Sequence, residues 1–198
     1  MGIDESKRAT LRRFAAVGAA SPLVGLADDA AGENDVRGAI GGYLTTTPGA
    51  HFSKLRDDLQ LGTGEAQHHL RRLVDAGTVE SYRDGDYRRF YSAGEFTDFE
   101  KVTLGYLRRE TPRSMLVTLL RDPDADGATL ADAAGVSRGT ISKYAAELDG
   151  VGLLSRADGY AITRPETVLV LVVRYADSFG PAAGALAREA DTLLAYDP

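Results

Sequence analysis

The chain contains no cysteine, which excludes disulfide staples, thiolate nucleophiles and cysteine-ligated zinc fingers. Histidine is nearly as scarce: His51, His68 and His69 are the only imidazoles, so a metal or catalytic site would have to be assembled from them or from carboxylates alone. No stretch reaches the roughly 18 consecutive apolar residues of a membrane-crossing helix. Glycine-rich phosphate loops, metal-spaced clusters and nucleophile-and-base groupings are also missing. The expectation is a soluble, cytoplasmic protein with no enzymatic activity, metal, cofactor or membrane partner.

Lysine is the next shortage. Apart from Lys7, Lys54, Lys101 and Lys143 the positive charge is all arginine, and acidic residues along the whole chain bring the net charge to -6. An acidic chain is a poor starting point for nucleic-acid binding, which usually relies on a basic surface. The composition is similar, however, to that of proteins of salt-accumulating archaea. In concentrated salt, charge is screened within about 3 Å, so the local placement of arginine matters more than the overall sign.

Residues 1–35 stand apart: Lys7, Arg8, Arg12 and Arg13 lead into a small-residue apolar run from Phe14 to Ala27 that Pro22 interrupts. One reading is a twin-arginine export signal, although the residue that usually separates the arginine pair from the aromatic is missing. The other, which we favour, is an N-terminal helix that packs on the body or on a partner and ends before a linker from Asp28 to Asn34.

From Val36 to Ser92 the patterns follow one another in a defined order. Val36, Ile40, Tyr43 and Leu44 predict a helix closed by Thr47-Pro48-Gly49. A short helix over His51 to Leu59 buries Phe52, Leu55 and Leu59. After the Leu61-Gly62 turn, Thr63 caps a third helix that reaches Ala76, with Ala66, Leu70, Leu73 and Val74 inward. Val79 to Arg83 and Tyr87 to Ser92 then flank Asp84-Gly85-Asp86 as a hairpin.

The order returns after a connecting helix from Phe96 to Arg109. Met115 to Leu120, Thr129 to Ala134 and Ser137 to Leu148 are the helices, and Gly135-Val136 is the turn. Laying Leu61 on Val136 puts Gly64 on Gly139, Ala66 on Ile141, Leu73 on Leu148, Gly77 on Gly152 and Val79 on Leu154 without a gap. Asp84-Gly85 falls on Asp158-Gly159 after one deletion, between Leu154-Ser155-Arg156 and Tyr160-Ala161-Ile162. Pro165 then opens a helix running through Val168 to Phe179, favoured over a buried strand at Val168 to Val173. A last helix spans Ala182 to Tyr196, with Leu186, Ala190, Leu193 and Leu194 on one side.

The segment Gly135-Val136-Ser137-Arg138-Gly139-Thr140-Ile141-Ser142-Lys143-Tyr144, followed by Leu148 and Gly152-Leu153-Leu154, resembles a helix-turn-helix signature. Leu61-Gly62-Thr63-Gly64 and Leu70-Arg71-Arg72-Leu73-Val74-Asp75-Ala76-Gly77 match it less tightly. Together they are similar to the winged-helix regulators of archaea and bacteria, in the broad group that includes the MarR and ArsR families. The fold expected is mainly α with small β-wings (α+β): residues 36–93 and 112–164 are two tandem winged helix-turn-helix domains, 94–111 connects them, and 165–198 supplies dimerising helices. The resemblance implies a homodimer that binds double-stranded DNA and regulates nearby promoters. A small-molecule effector would sit in an apolar pocket between the connecting helix and the C-terminal helices.

In such a fold the second helix of each pair enters the major groove. Thr63, Gln67, His68 and Arg71 face outward in the first copy, with Gln67 suited to adenine and Arg72 to phosphate. Ser137, Arg138, Thr140, Ser142 and Lys143 do so in the second, where Arg138 suits guanine. Arg83, Arg88 and Arg89, interleaved with Tyr82 and Tyr87, would lay the first wing on phosphate or in the minor groove, with Arg156 and Arg164 their counterparts in the second. His68 and His69 are read as solvated. The alternative function is a protein-interaction scaffold of tandem winged helices, like accessory subunits of chromosome-condensing complexes, without base readout; the net acidity favours it.

Overall fold

The computed structural model describes residues 2–19 and 31–193, which form two compact units meeting at Thr97 and Asp98. Pro22, the Asp28-Asp29 start of the expected linker, and Leu194 and Tyr196 of the last helix lie outside the described residues. The chain has a winged-helix-type α+β fold, mostly helical with small antiparallel sheets.

The first unit runs α1 (Gly2–Ala19), α2 (Ala31–Thr46), β1 (Ala50–His51), α3 (Phe52–Asp58), α4 (Thr63–Asp75), β2 (Val79–Asp84) and β3 (Tyr87–Ser92). Helix α2 begins at Ala31, inside the expected linker. Its Val36, Ala39, Ile40, Tyr43 and Leu44 recur at the three-and-four spacing of one helix face, and all are buried with Leu55, Leu59, Ala66, Leu70 and Phe90 in a single core. The Tyr43 hydroxyl sits at the polar edge of that core and donates to Asp58 at 2.8 Å. Helix α1 lies along α2: Leu11 enters the same core, and the Phe14 ring meets Tyr43 edge-on at 5.3 Å. Arg12 and Arg13 are therefore exposed positions on a packed helix.

Strands β2 and β3 pair antiparallel from Val79–Ser92 to Asp84–Tyr87, leaving Gly85 and Asp86 as a two-residue loop. Gly85 has φ +58°, the positive value that a primed hairpin turn needs at its first central position. Strand β1, too short to leave a pattern in the sequence, adds to the other edge of β3 with Ala50 opposite Phe90 and His51 opposite Arg89. Alternation along β3 sends Phe90 and Arg88 to the helix side and Arg89 and Tyr91 to the other. That second face is also covered. Tyr91 is fully buried and packs on Phe96, and Arg89 is 2% exposed. The Arg89 guanidinium binds the Asp84 carboxylate through Nε and donates from Nη1 to the Gly49 carbonyl at 3.0 Å.

The second unit runs α5 (Asp98–Leu107), α6 (Glu110–Arg121), α7 (Gly127–Ala134), α8 (Arg138–Gly150), β4 (Leu154–Ser155), β5 (Ala161–Ile162), α9 (Pro165–Arg174), α10 (Ala176–Phe179) and α11 (Pro181–Leu193). From α6 to β5 three helices are followed by a strand pair, as from α2 to β3 but with no counterpart of β1, around a core of Met115, Leu119, Leu130, Ile141, Ala145, Leu148 and Leu154. Asp126 caps α7 by accepting from the N–H groups of Ala128 and Thr129, and Gly135 closes it at φ +64°. The connecting helix is shorter than expected, because Phe96 stays with the first unit against Tyr91. Residues 168–173 are helical rather than extended. Pro165 opens α9, and Val168, Leu169, Leu171 and Val172 share its buried side. The helix expected to continue to Phe179 breaks at Tyr175 into α9 and α10.

Removing one partner of a buried ion pair leaves the other desolvated and uncompensated, at a cost of about 3 kcal/mol or more. Arg89→Ala is therefore expected to lower unfolding stability in urea by about that amount, whereas Arg88→Ala, exposed, changes it by less than about 0.5 kcal/mol. Equal losses in the two variants would contradict this placement.

Candidate nucleic-acid interface

Helix α3 ends at Leu59, and Gln60 turns the chain with φ +54°, the one non-glycine residue with positive φ among the described residues. Buried Leu61 anchors the turn, and α4 starts immediately after it. Its N-cap is Gly62, not Thr63. Since glycine has no side chain to cap with, the cap is made from the helix side: the Glu65 carboxylate accepts from the Gly62 N–H at 3.1 Å. The Lys7 ammonium of α1 also donates to both Glu65 oxygens, at 2.8 and 3.1 Å. Burial pushes the Glu65 carboxyl up, but the Lys7 hydrogen bond and the Gly62 N–H together hold it below the usual carboxylate range.

This start leaves Thr63, Gln67, His68, Arg71 and Arg72 exposed on one broad face of α4, as the helical period requires. The Thr63 hydroxyl accepts from Arg56 at 3.4 Å. Arg71 approaches Asp75 at 3.7 Å, but its side chain is 85% exposed, so the pair leaves it reachable. His69 departs from its neighbour. It is 6% exposed, on the inward side with Ala66 and Leu70, with its ring edge-on to His68 at 5.1 Å. The spacing Ala66, His69, Leu70, Leu73 carried that signal in the sequence.

The hairpin completes the surface. Arg83 and Arg88 sit directly opposite each other on adjacent strands, both exposed, and no carboxylate pairs with either among the described residues. Two like charges at a cross-strand position destabilise each other unless an anion lies between or over them. Arg88 also stacks over Phe90 at 5.6 Å and, with Gln67, Leu70, Arg71 and Val74, lines a cleft of about 530 Å³ between α4 and the wing. Tyr82 is half-buried, and Tyr87 is 49% exposed at the tip. Arg89 is removed from the expected contacts. Its guanidinium is engaged inside the protein, because strand alternation turns it away from Arg88 and toward Gly49.

In the second unit Arg138, Ser142 and Lys143 are exposed on α8, and Arg156 is exposed after β4. Ser137 is the N-cap: its hydroxyl accepts from the Thr140 N–H at 3.2 Å and lies 3.0 Å from the Thr140 hydroxyl. Both side chains thus serve the helix start, and Thr140 is half-buried. Lys143 lies 4.0 Å from Glu147, which Arg109 also approaches at 3.8 Å. Arg164 stacks on Phe99 at 4.6 Å at the start of α9. The second surface is consequently less cationic than the first.

Sequence reading missed two polar groups that shape the first surface. One is Lys7, whose partner lies 58 residues away and leaves no local signal. The other is His51, the N-cap of α3, whose Nδ1 accepts from the Lys54 N–H at 3.3 Å.

A family model described as an N-terminal HTH domain matches residues 34–104. An uncharacterized HTH-type transcriptional regulator of Methanocaldococcus jannaschii is 32% identical over 90 residues, which are 46% of this chain and 22% of that protein. The chain thus spans about a fifth of the length of this curated relative. No solved structure matches it. No helix among the described residues is long and apolar enough to cross a membrane.

The cap at His51 requires a bare Nδ1 and hence the neutral imidazole. Burial, then the charges of Arg89 and Lys54, lower its pKa from the ordinary 6.5. A base with a lowered folded pKa binds protons more readily when unfolded. Its contribution to stability is therefore whole above about pH 6.5 and is lost as pH falls from there through the folded value. Urea unfolding at pH 7.5 and 5.5 is expected to show a larger loss in wild type than in His51→Asn, which keeps a capping oxygen but does not titrate. Parallel losses would assign the acid sensitivity to other groups.

Proposed function

We propose that this protein is a sequence-specific regulator of transcription that binds double-stranded DNA in the cytoplasm, with recognition helices in the major groove and arginine-bearing wings on the backbone. The observation that carries the reading is the first surface: α4 presents Thr63, Gln67, His68 and Arg71 beside the paired Arg83 and Arg88. A helix with side chains is about 10–12 Å across, and the B-DNA major groove is about 12 Å wide. Polar side chains on the outer face of α4 would then meet base edges while the wing meets phosphate. Gln67 has the amide pair that adenine takes, and Arg71 and Arg138 have the fork that guanine takes.

Several finer parts belong to the same proposal. The second unit acts as a second winged helix reading through Arg138, Ser142 and Lys143, with Arg156 near phosphate. The chain stands in the MarR and ArsR broad group and works in a salt-rich archaeal cytoplasm. It forms a homodimer through its C-terminal helices, where Val170 of α9 is 56% exposed. An effector pocket beside α5 has less support, because side chains occupy that region. Leu104 and Leu107 are fully buried, and Arg108 stacks on Phe179 at 4.4 Å while donating to the Ser178 carbonyl at 2.9 Å.

The scaffold reading retains two observations: Lys143 of α8 lies against Glu147, and the net charge of the chain is -6. Binding to genomic DNA fragments across a salt series separates the two readings. Under the proposal, wild type enriches a defined subset of fragments. Arg83→Ala/Arg88→Ala weakens binding to all of them and reduces the slope of log K against log salt by about 0.9 for each phosphate that is no longer neutralised. Arg138→Ala shifts sequence preference, worth roughly 1–3 kcal/mol at one base pair. A wild-type protein that enriches nothing at any salt would leave the scaffold.

A further inference from the structure

Helix α1 lies before the residues that the HTH family matches, yet it is fastened to the HTH element itself. Lys7 holds Glu65 near the start of α4, and the Ser6 hydroxyl accepts from the Gln60 amide of the HTH turn at 3.4 Å. The side of α4 on which this happens is informative. Gln67, Leu70 and Val74 line the cleft shared with Arg88, so the wing stands on one flank of α4. Glu65 lies about 160° around the exposed side of the helix from Gln67, which puts α1 on the other flank. The strip between, which includes Gly64, His68, Arg71 and Arg72, is exposed. A helix in the major groove runs between two phosphate backbones, one on each side. The wing supplies arginines to one of them.

Resting on the DNA-binding reading above, we propose that α1 is the second phosphate clamp of the first unit, with Lys7 neutralising the Glu65 carboxylate and Arg13 meeting the backbone opposite the wing. Glu65 is needed to cap a helix whose N-cap is glycine, but it sets a negative charge on the side of α4 that a phosphate strand must approach. Lys7, bonded to both of its oxygens, cancels that charge locally. Arg13 is exposed and lies two helical turns on from Ser6, on the same side of α1. The exposed small residues Ala9 and Ala16 flank that side.

The test uses the full chain and a DNA fragment recovered by the wild-type protein, with affinity measured across a salt series and helix content checked for every variant. Lys7→Gln is expected to weaken binding roughly threefold to tenfold by exposing the Glu65 charge to phosphate. Lys7→Gln/Glu65→Gln is expected to recover most of that loss, because glutamine still caps and carries no charge. Arg13→Gln is expected to lower the salt slope by about 0.9 for the phosphate that Arg13 neutralises in the wild-type complex. Wild-type affinity and slope in all three variants would overturn the clamp. A loss in Lys7→Gln that Glu65→Gln does not recover would overturn the neutralisation and leave Lys7 a strut. Failure of the wild-type protein to recover any fragment would instead sink the DNA reading itself.

Discussion

The buried guanidinium of Arg89 determines where the first wing stands. It ties together, across the strand pairing, the hairpin tip through Asp84, the middle of β3, and the Gly49 carbonyl that follows α2. Gly49 accepts this role at φ +76°, with the Tyr91 ring so near that a β-carbon would press on it at 3.2–3.4 Å. A buried arginine is tolerated only when its charge and its donors are answered. Asp84 answers the charge and Gly49 one of the donors, and the hairpin is held against the end of α2 as a result. Because neighbouring strand residues point to opposite faces, securing Arg89 inward fixes Arg88 outward, over Phe90 and beside α4. One structural arginine thereby aims a functional one.

The start of α4 is secured in a similar way. Glu65 supplies the cap that Gly62 cannot, and α1 returns a lysine to that carboxylate. The exposed face of α4 is thus framed by two fixed elements, α1 and the wing, tied down by the Lys7–Glu65 and Arg89–Asp84 ion pairs respectively. The net charge of the chain is uninformative about this surface. Acids are distributed over the chain, while Arg83 and Arg88 stand together with no carboxylate partner among the described residues.

Much of the fold was legible from periodicity. The buried face of α2 follows the three-and-four spacing, and β3 begins and ends at Tyr87 and Ser92 as its aromatic and arginine pattern indicates. Gly135 and Ser137 marked the turn and the start of α8 because a left-handed residue and a serine cap leave local signatures. Features that depend on distant partners were not legible. A two-residue strand such as β1 has no pattern, so the cover over the second face of the hairpin, and with it the burial of Arg89, could not be foreseen. His69 is a different failure: its spacing from Ala66, Leu70 and Leu73 placed it inward, but its polar identity outweighed its position. The break at Tyr175 has no proline or glycine to announce it.

Arginine-directed chemical modification with and without bound DNA, read residue by residue by mass spectrometry, tests the central claim most directly. The account predicts that Arg71, Arg83 and Arg88 react in the free protein and are shielded by DNA, while Arg89 stays unreactive in both states. Shielding confined to arginines of α9 and α11, or unchanged reactivity at Arg71, Arg83 and Arg88 in the complex, would contradict it.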